Sequence, residues 1–222
     1  FEDGGSAPGG NWNTVAFNDA GWSSGQALFG TDAGGGPAVL TVTQHLVERF
    51  RAADIAGATQ GQILTTWTDM ATGDGVVQSA TAGGNPTFQA SATPSGEPAV
   101  RFDGNDEFRT ALSPGIASTS GFVYIAVVKA NSPPSGGGVT TGSGPYLWDR
   151  DATSGNPLVS LKPDNGRFGI QKRYNDGSGL GGPVSTSTIS TTSYQIVAMR
   201  RNTSQSRFEI WVDGVMEASQ SD

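Results

Sequence analysis

The stretch RFEIWVDG, residues 207–214, predicts a β-strand that ends in a tight turn. Successive side chains of a strand point to opposite faces, so Phe208, Ile210 and Val212 share one apolar face. Asp213-Gly214 is a turn signal, because these residue types tolerate the positive φ angles of hairpin turns. The stretch is therefore expected to be a half-buried strand of a hairpin.

The partner of this strand lies directly upstream. Residues 194–201, YQIVAMRR, form a second strand candidate, and the polar residues 202–206 join the two. A second hairpin is predicted at Asp164-Asn165-Gly166, since Asn-Gly suits a type I′ turn. Both patterns indicate long antiparallel strands.

Strand candidates recur through the rest of the chain, separated by turns rich in its 33 glycines and 12 prolines. Further strands are expected near 46–53, 62–69, 76–79, 87–90, 99–102, 107–111, 122–130, 146–149, 157–161 and 167–174. Residues 122–128 are apolar on both faces, which predicts a central strand. Short strands at this spacing, without a long amphipathic repeat, predict an all-β antiparallel sandwich of two sheets.

Four short motifs occur in the order and spacing of bacterial laminin-G-like modules. They are Arg49–Asp54, Trp67–Asp69, Pro98–Gly104 and Trp211–Gly214. Together they span most of residues 46–222, so this part of the chain resembles the laminin-G-like modules of the concanavalin A-like lectin/glucanase superfamily. The resemblance implies a jelly-roll sandwich. It leaves function open, because such modules include glycan binders, adhesion modules and enzyme domains.

The resemblance implies two parts: an N-terminal extension, or the remnant of a preceding module, at residues 1–43, and the sandwich at 44–222. Residues 11–30 resemble the tryptophan-rich segment of some bacterial multi-module surface proteins. Laminin-G-like modules continue with at least one strand after the Val-Asp-Gly hairpin. Only eight residues follow it here, so we expect the sandwich to lack its final strand or strands. The strand-like residues 38–43 could fill the gap in cis or, by strand addition, in a neighbouring copy, giving self-association.

The composition argues against several classes of binding partner and metal site. A net charge of −7 argues against binding to nucleic acid or anionic lipid, both of which require a basic surface. The chain has no cysteine and a single histidine, His45, so neither a disulfide framework nor a thiolate or histidine-cluster zinc site is expected. No apolar run is long enough to cross a bilayer. The lysine-poor surface, rich in Gly, Ser and Thr, favours an extracellular or cell-surface location, and the start at Phe1 suggests a processed or excised portion.

Catalytic patterns are missing. Glycosidases of the superfamily carry alternating carboxylates on one strand, whereas Glu209 and Asp213 lie four residues apart and Asp213 falls in a turn. Residues 171–175, QKRYN, are similar to the Lys/Tyr strand of alginate-lyase-like jelly rolls, but the accompanying arginine and histidine motifs are absent. The one Gly-x-Ser-x-Gly match, residues 21–25, lies in a Gly-rich stretch with no predicted strand or helix, so a Ser/His/Asp hydrolase is not expected either. We therefore expect no hydrolase or lyase activity.

Calcium is the one metal that the pattern favours. Asp149 with Asp151, and Asp103 with Asp106, place carboxylate oxygens at short spacing on predicted loops. The competing interpretation is that these side chains satisfy backbone donors in Asx-turns.

Sugar binding requires an aromatic surface beside polar acceptors. The candidates with that composition are Tyr146, Trp148, Arg150, Tyr174 and Asn175. Four other aromatic residues, Trp67, Phe102, Phe122 and Trp211, fit strand patterns and are expected in the core.

Three hypotheses remain. The first is a non-catalytic carbohydrate-binding, ligand-binding or cell-adhesion module of a secreted multi-domain protein, with a glycan or a protein as ligand. The second is a structural subunit of an extracellular assembly or fibre. The third, a polysaccharide-degrading enzyme, is disfavoured by the missing catalytic patterns.

Overall fold

The computed structural model describes residues 46–71, 75–78, 84–110, 121–134, 138–140, 145–150, 159–173 and 180–222. For residues 75–78, 109–110, 150 and 173 it describes the backbone. The chain divides between Leu46 and Val47, and the architecture below is that of the second unit. The extension predicted at 1–43, the strand predicted at 38–43 and His45 lie outside the described residues.

The described residues are all-β apart from one turn of 3-10 helix, Ala52–Asp54. The strands are β1 Thr66–Thr68, β2 Gly75–Gln78, β3 Thr87–Gln89, β4 Ala99–Arg101, β5 Phe108–Thr110, β6 Phe122–Val128, β7 Trp148–Arg150, β8 Val159–Asp164, β9 Arg167–Arg173, β10 Leu180–Gly181, β11 Val184–Thr188, β12 Gln195–Asn202, β13 Arg207–Val212 and β14 Val215–Ser221. In this part of the chain, no helix has the length and hydropathy needed to span a membrane.

Two antiparallel sheets enclose the main core. One has the order β14-β13-β12-β6, and the other has the order β10-β9-β8-β7, with β11 also paired to β9. Leu161, Phe168 and Ile170 of the second sheet pack in one cluster with residues such as Met199 and Ile210 of the first. Removal of these side chains from water is the main stabilising contribution. The smaller sheets β1-β2-β5 and β3-β4 lie outside this pair.

The predicted hairpin is confirmed. Strand β12 pairs with β13 from Val197 opposite Val212 to Asn202 opposite Arg207. Phe208, Ile210 and Val212 are buried in the core, as their alternation predicted.

The Asn-Gly hairpin is also confirmed. Strands β8 and β9 pair on either side of Asn165 and Gly166, whose φ angles are 47° and 80°. Both values are those of a turn that asparagine and glycine tolerate best.

Three local expectations are corrected. Residues 46–53 form no strand. The amide of Arg49 donates to Oδ1 of Asp69 at 2.7 Å, so a side chain distant in sequence takes the place of the backbone carbonyl that a neighbouring strand would provide. Among the described residues, β6 pairs with β12 alone and is an edge strand, with Val123 and Val127 exposed. Strands β10 and β11 lie between β9 and β12, where no strand was expected.

The residues after the Val-Asp-Gly turn form a strand of their own. Val215–Ser221, β14, pairs with β13 through a register shift between Ile210 and Trp211. Glu217 of this strand accepts hydrogen bonds from the amide and hydroxyl of Ser187 on β11, and so links the two main sheets. Whether the sandwich lacks a strand relative to laminin-G-like modules stays a prediction.

Candidate ligand-binding face

The candidate site is the outer face of the sheet formed by β7, β8 and β9, on the side away from the core. Because side chains alternate along a strand, the burial of Leu161 in the core places Ser160 and Lys162 on the opposite face. Register puts Asp149, Ser160 and Gln171 side by side on the three strands. The Ser160 hydroxyl donates to Oδ1 of Asp149 at 2.6 Å.

Polar side chains on this face are buried as deeply as the apolar core. Ser160, Lys162 and Gln171 are each 0% exposed. Lysine is rarely buried completely, because removing an ammonium group from water is costly. The Lys162 Nζ lies 4.8 Å from the centroid of the Tyr146 ring, a cation–π arrangement that offsets part of this cost.

The electrostatics of the face follow from that burial. Burial lowers the pKa of Lys162, and the negative charges of Asp164 and Asp149 act in the opposite direction. The face therefore combines an ammonium group, a hydroxyl, an amide and carboxylates next to an aromatic ring.

Residues 138–140 cover one part of the face. The amide of Val139 donates to Oδ2 of Asp164 at 2.9 Å, and its carbonyl accepts from Nε2 of Gln171 at 2.9 Å. A Cβ at Gly169 would lie 2.5 Å from Cγ1 of Val139, so this close approach requires glycine on the sheet. Asp149 remains exposed at the other side of the face.

The structure brings together two of the predicted ligand-binding and metal residues, Tyr146 and Asp149. The Trp148 side chain lies on the core side of β7, stacked on Tyr124 with ring centroids 5.5 Å apart. Arg150 ends β7, and its side chain is not described. Tyr174, Asn175 and Asp151 lie outside the described residues.

The second predicted calcium pair forms a compact loop. The Asp103 amide donates to Oδ2 of Asp106 at 2.9 Å, and the Asn105 amide donates to Oδ1 of Asp103 at 3.3 Å. These are the backbone bonds of the competing Asx-turn interpretation. Oδ1 of Asp106 is buried, and it would lie 2.6 Å from a Cβ at Gly84. The described residues contain no group of three or more His, Cys, Asp or Glu side chains arranged for a metal, and calcium binding at this loop stays a prediction.

Of the side chains that suggested catalysis, Glu209 and Lys172 are both buried. Glu209 is 0% exposed, and its Oε1 accepts hydrogen bonds from Arg207 and Asn202. Lys172 lies between the sheets, with Nζ bonded to the carbonyl of Ser221. The enzymatic hypothesis gains no support from either group.

One carboxylate cluster was not anticipated. Asp69 is buried and accepts the amides of Arg49 and Ala71 on the same oxygen, at 2.7 and 2.8 Å. Burial and the nearby charge of Asp69 raise the pKa of Glu48, and burial together with Glu48 raises the pKa of Tyr124 to about 12. The aspartate of the Trp67–Asp69 motif was the available signal, but its partners are distant in sequence. Asp69 stabilises the segment from Arg49 to Ala71 by accepting hydrogen bonds from the amides of these two residues.

Comparison with known proteins adds no relative. No family model, curated protein or solved structure matches the chain.

Proposed function

We propose that this chain is a non-catalytic carbohydrate- or ligand-binding module, or an adhesion module, of an extracellular multi-domain protein. In this proposal the two packed sheets belong to a laminin-G-like jelly roll of the concanavalin A-like class. The ligand is a glycan or a protein. The observation that supports it best is the pair of accessible groups on the outer face of β7, β8 and β9, the exposed Asp149 and the partly exposed Tyr146, which contact the buried Ser160 and Lys162.

The chemistry of this face suits a polyhydroxylated ligand. Sugar hydroxyls both donate and accept hydrogen bonds, and the exposed carboxylate of Asp149 is an acceptor whose orientation is fixed by Ser160. Tyr146 offers an amphipathic ring, partly exposed and held in place by Lys162. Groups that are already positioned lose little conformational entropy on binding.

The test is a glycan array probed with the whole chain, followed by titration calorimetry on any glycan that binds. Tyr146→Ala and Asp149→Asn should each weaken that binding about tenfold, the effect of losing one good polar or stacking contact. Phe102→Ala is the control, because Phe102, which we expected in the core, is an exposed aromatic residue outside the five-stranded sheet. Binding that is equal in all three variants and the parent would show that the ligand contacts another surface.

A further inference from the structure

The outer face of the four-stranded sheet carries a second set of side chains that the proposed function does not use. Register places Ile125, Ala198, Trp211 and Met216 in one row across the four strands. We expected Trp211 in the core, but it belongs to this outer row and is partly exposed. The strand alternation explains the difference, since the burial of Ile210 and Val212 turns Trp211 outward.

Several side chains of this face are exposed to solvent. Val123 and Val127 of β6 are 53% and 62% exposed, and Met216 of β14 is 40% exposed. The Arg200 side chain, on the row next to Trp211, is 45% exposed. An exposed apolar surface of this kind, bordered by charge, commonly marks a binding site.

Glu209 holds the functional groups of the face in place. Its Oε2 accepts the indole N–H of Trp211 at 3.1 Å and lies 3.5 Å from the guanidinium of Arg200. One carboxylate oxygen therefore fixes an aromatic ring and a cation side by side. Because Glu209 is itself 0% exposed, it is a positioning residue and makes no contact with a ligand.

The charge of this cluster is positive. Arg200 and Arg207 share the single carboxylate of Glu209, which leaves one net positive charge on a protein whose net charge is −7. Repulsion by distant acidic residues is screened beyond about 8 Å at physiological salt, so the local excess decides which ligand is accepted.

We propose that the surface around Trp211 and Arg200 binds an acidic polysaccharide. A sugar ring packs on the indole and the neighbouring apolar side chains, and its carboxylate or sulfate group pairs with the Arg200 guanidinium. Arginine suits this role because its planar donors match an oxyanion in two-point geometry. The site lies on the other main sheet from the proposed ligand-binding face and does not depend on it.

The experiment is calorimetric titration of the whole chain with polygalacturonate, with neutral dextran as the comparison polymer. The parent protein should bind polygalacturonate, more weakly at high salt, and should not bind dextran through this surface. Arg200→Gln should lower the affinity about tenfold, and Arg200→Lys should recover only part of it, because lysine lacks the two-point geometry. Arg51→Gln is the matched control, since Arg51 is another partly exposed arginine next to a carboxylate, that of Asp54.

Several outcomes would overturn the inference. They are no binding of polygalacturonate by the parent, equal affinity in Arg200→Gln, or an equal loss in Arg51→Gln. Loss of binding in Tyr146→Ala with none in Arg200→Gln would assign the ligand to the five-stranded sheet, which would overturn this site and leave the proposed function intact. Thermal melting of each variant separates a binding defect from unfolding, and the exposure of Arg200 makes its substitution the safest reporter.

Discussion

Replacing Glu209 by glutamine should destabilise the protein through loss of one buried anion. In the native structure Oε1 accepts from Arg207 at 2.7 Å and from Asn202 at 3.1 Å, while Oε2 accepts from Trp211 at 3.1 Å and lies 3.5 Å from Arg200. A glutamine side chain keeps one acceptor oxygen and places an NH2 group where the other oxygen stood. That group faces donors, so hydrogen bonds on one side of the carboxylate are lost.

The magnitude follows from the kind of bonds lost. One charge-assisted and one ordinary hydrogen bond together contribute about 2–4 kcal/mol. The two arginine side chains are 45% and 32% exposed and can be rehydrated, which reduces the penalty. We therefore expect a loss of about 2 kcal/mol in unfolding free energy, or a fall in melting temperature of about 4–8 °C for a chain of this size.

The pH dependence of the unfolding free energy provides a second, independent test. Burial alone raises the pKa of Glu209, but the hydrogen bonds from Arg207, Asn202 and Trp211 and the charge of Arg200 outweigh it, so its pKa lies below the ordinary value of 4.5. The ionised side chain thus stabilises the fold fully above that value, and the stabilisation is lost as pH falls through the lower folded-state pKa. The deficit of Glu209→Gln should be largest near neutral pH and should shrink in acid.

Urea denaturation followed by tryptophan fluorescence at several pH values measures both effects. Glu97→Gln, in the loop joining β3 and β4, is the control for removing one acidic charge. The reasoning is refuted if Glu209→Gln unfolds with the same free energy as the parent at neutral pH, or if its deficit persists unchanged in acid.

Three further predictions concern other parts of the molecule. Glu217→Gln should weaken the link to Ser187 and lower the unfolding free energy by about 1–2 kcal/mol at neutral pH; because hydrogen bonds to Ser187 and Thr186 outweigh burial and lower the pKa of Glu217, denaturation at low pH should show a smaller difference. Gly182→Ala should destabilise by about 1–3 kcal/mol or more, since the added Cβ would lie 1.9 Å from the carbonyl oxygen of Ile170, and an unchanged denaturation midpoint would contradict that geometry. If calcium occupies the loop of Asp103, millimolar calcium should raise the melting temperature relative to EDTA, and identical melting curves would reject the site.

Sequence patterns predicted the structure correctly where it depends on residues that are close together in the chain. The β12–β13 hairpin follows from side-chain alternation, and the turn at Asn165 and Gly166 follows from the backbone angles that these two residues accept. The position of β6 in its sheet was predicted wrongly, because that position depends on strands that are distant in sequence. A strand that is apolar on both faces looks the same in sequence whether it lies at the centre of a sheet or at an edge with one face in solvent.

The candidate site was predicted only in part. Sequence composition singled out Tyr146 and Asp149, because an aromatic ring next to a carboxylate is visible locally. It gave no sign that Lys162 is buried beneath that ring or that Asp69 holds the amide of Arg49, since both contacts join residues far apart along the chain.

The sequence by itself determined which side chains share a face, because the period of two along a strand is a property of the backbone. Only the tertiary structure decided whether each face is buried or exposed. Glu209 and Lys162 both lie on faces turned away from the core, where alternation predicts exposure to water, yet both are buried. Their burial depends on neighbouring strands and loops and on a set of compensating charges, and these come together only when distant segments pack.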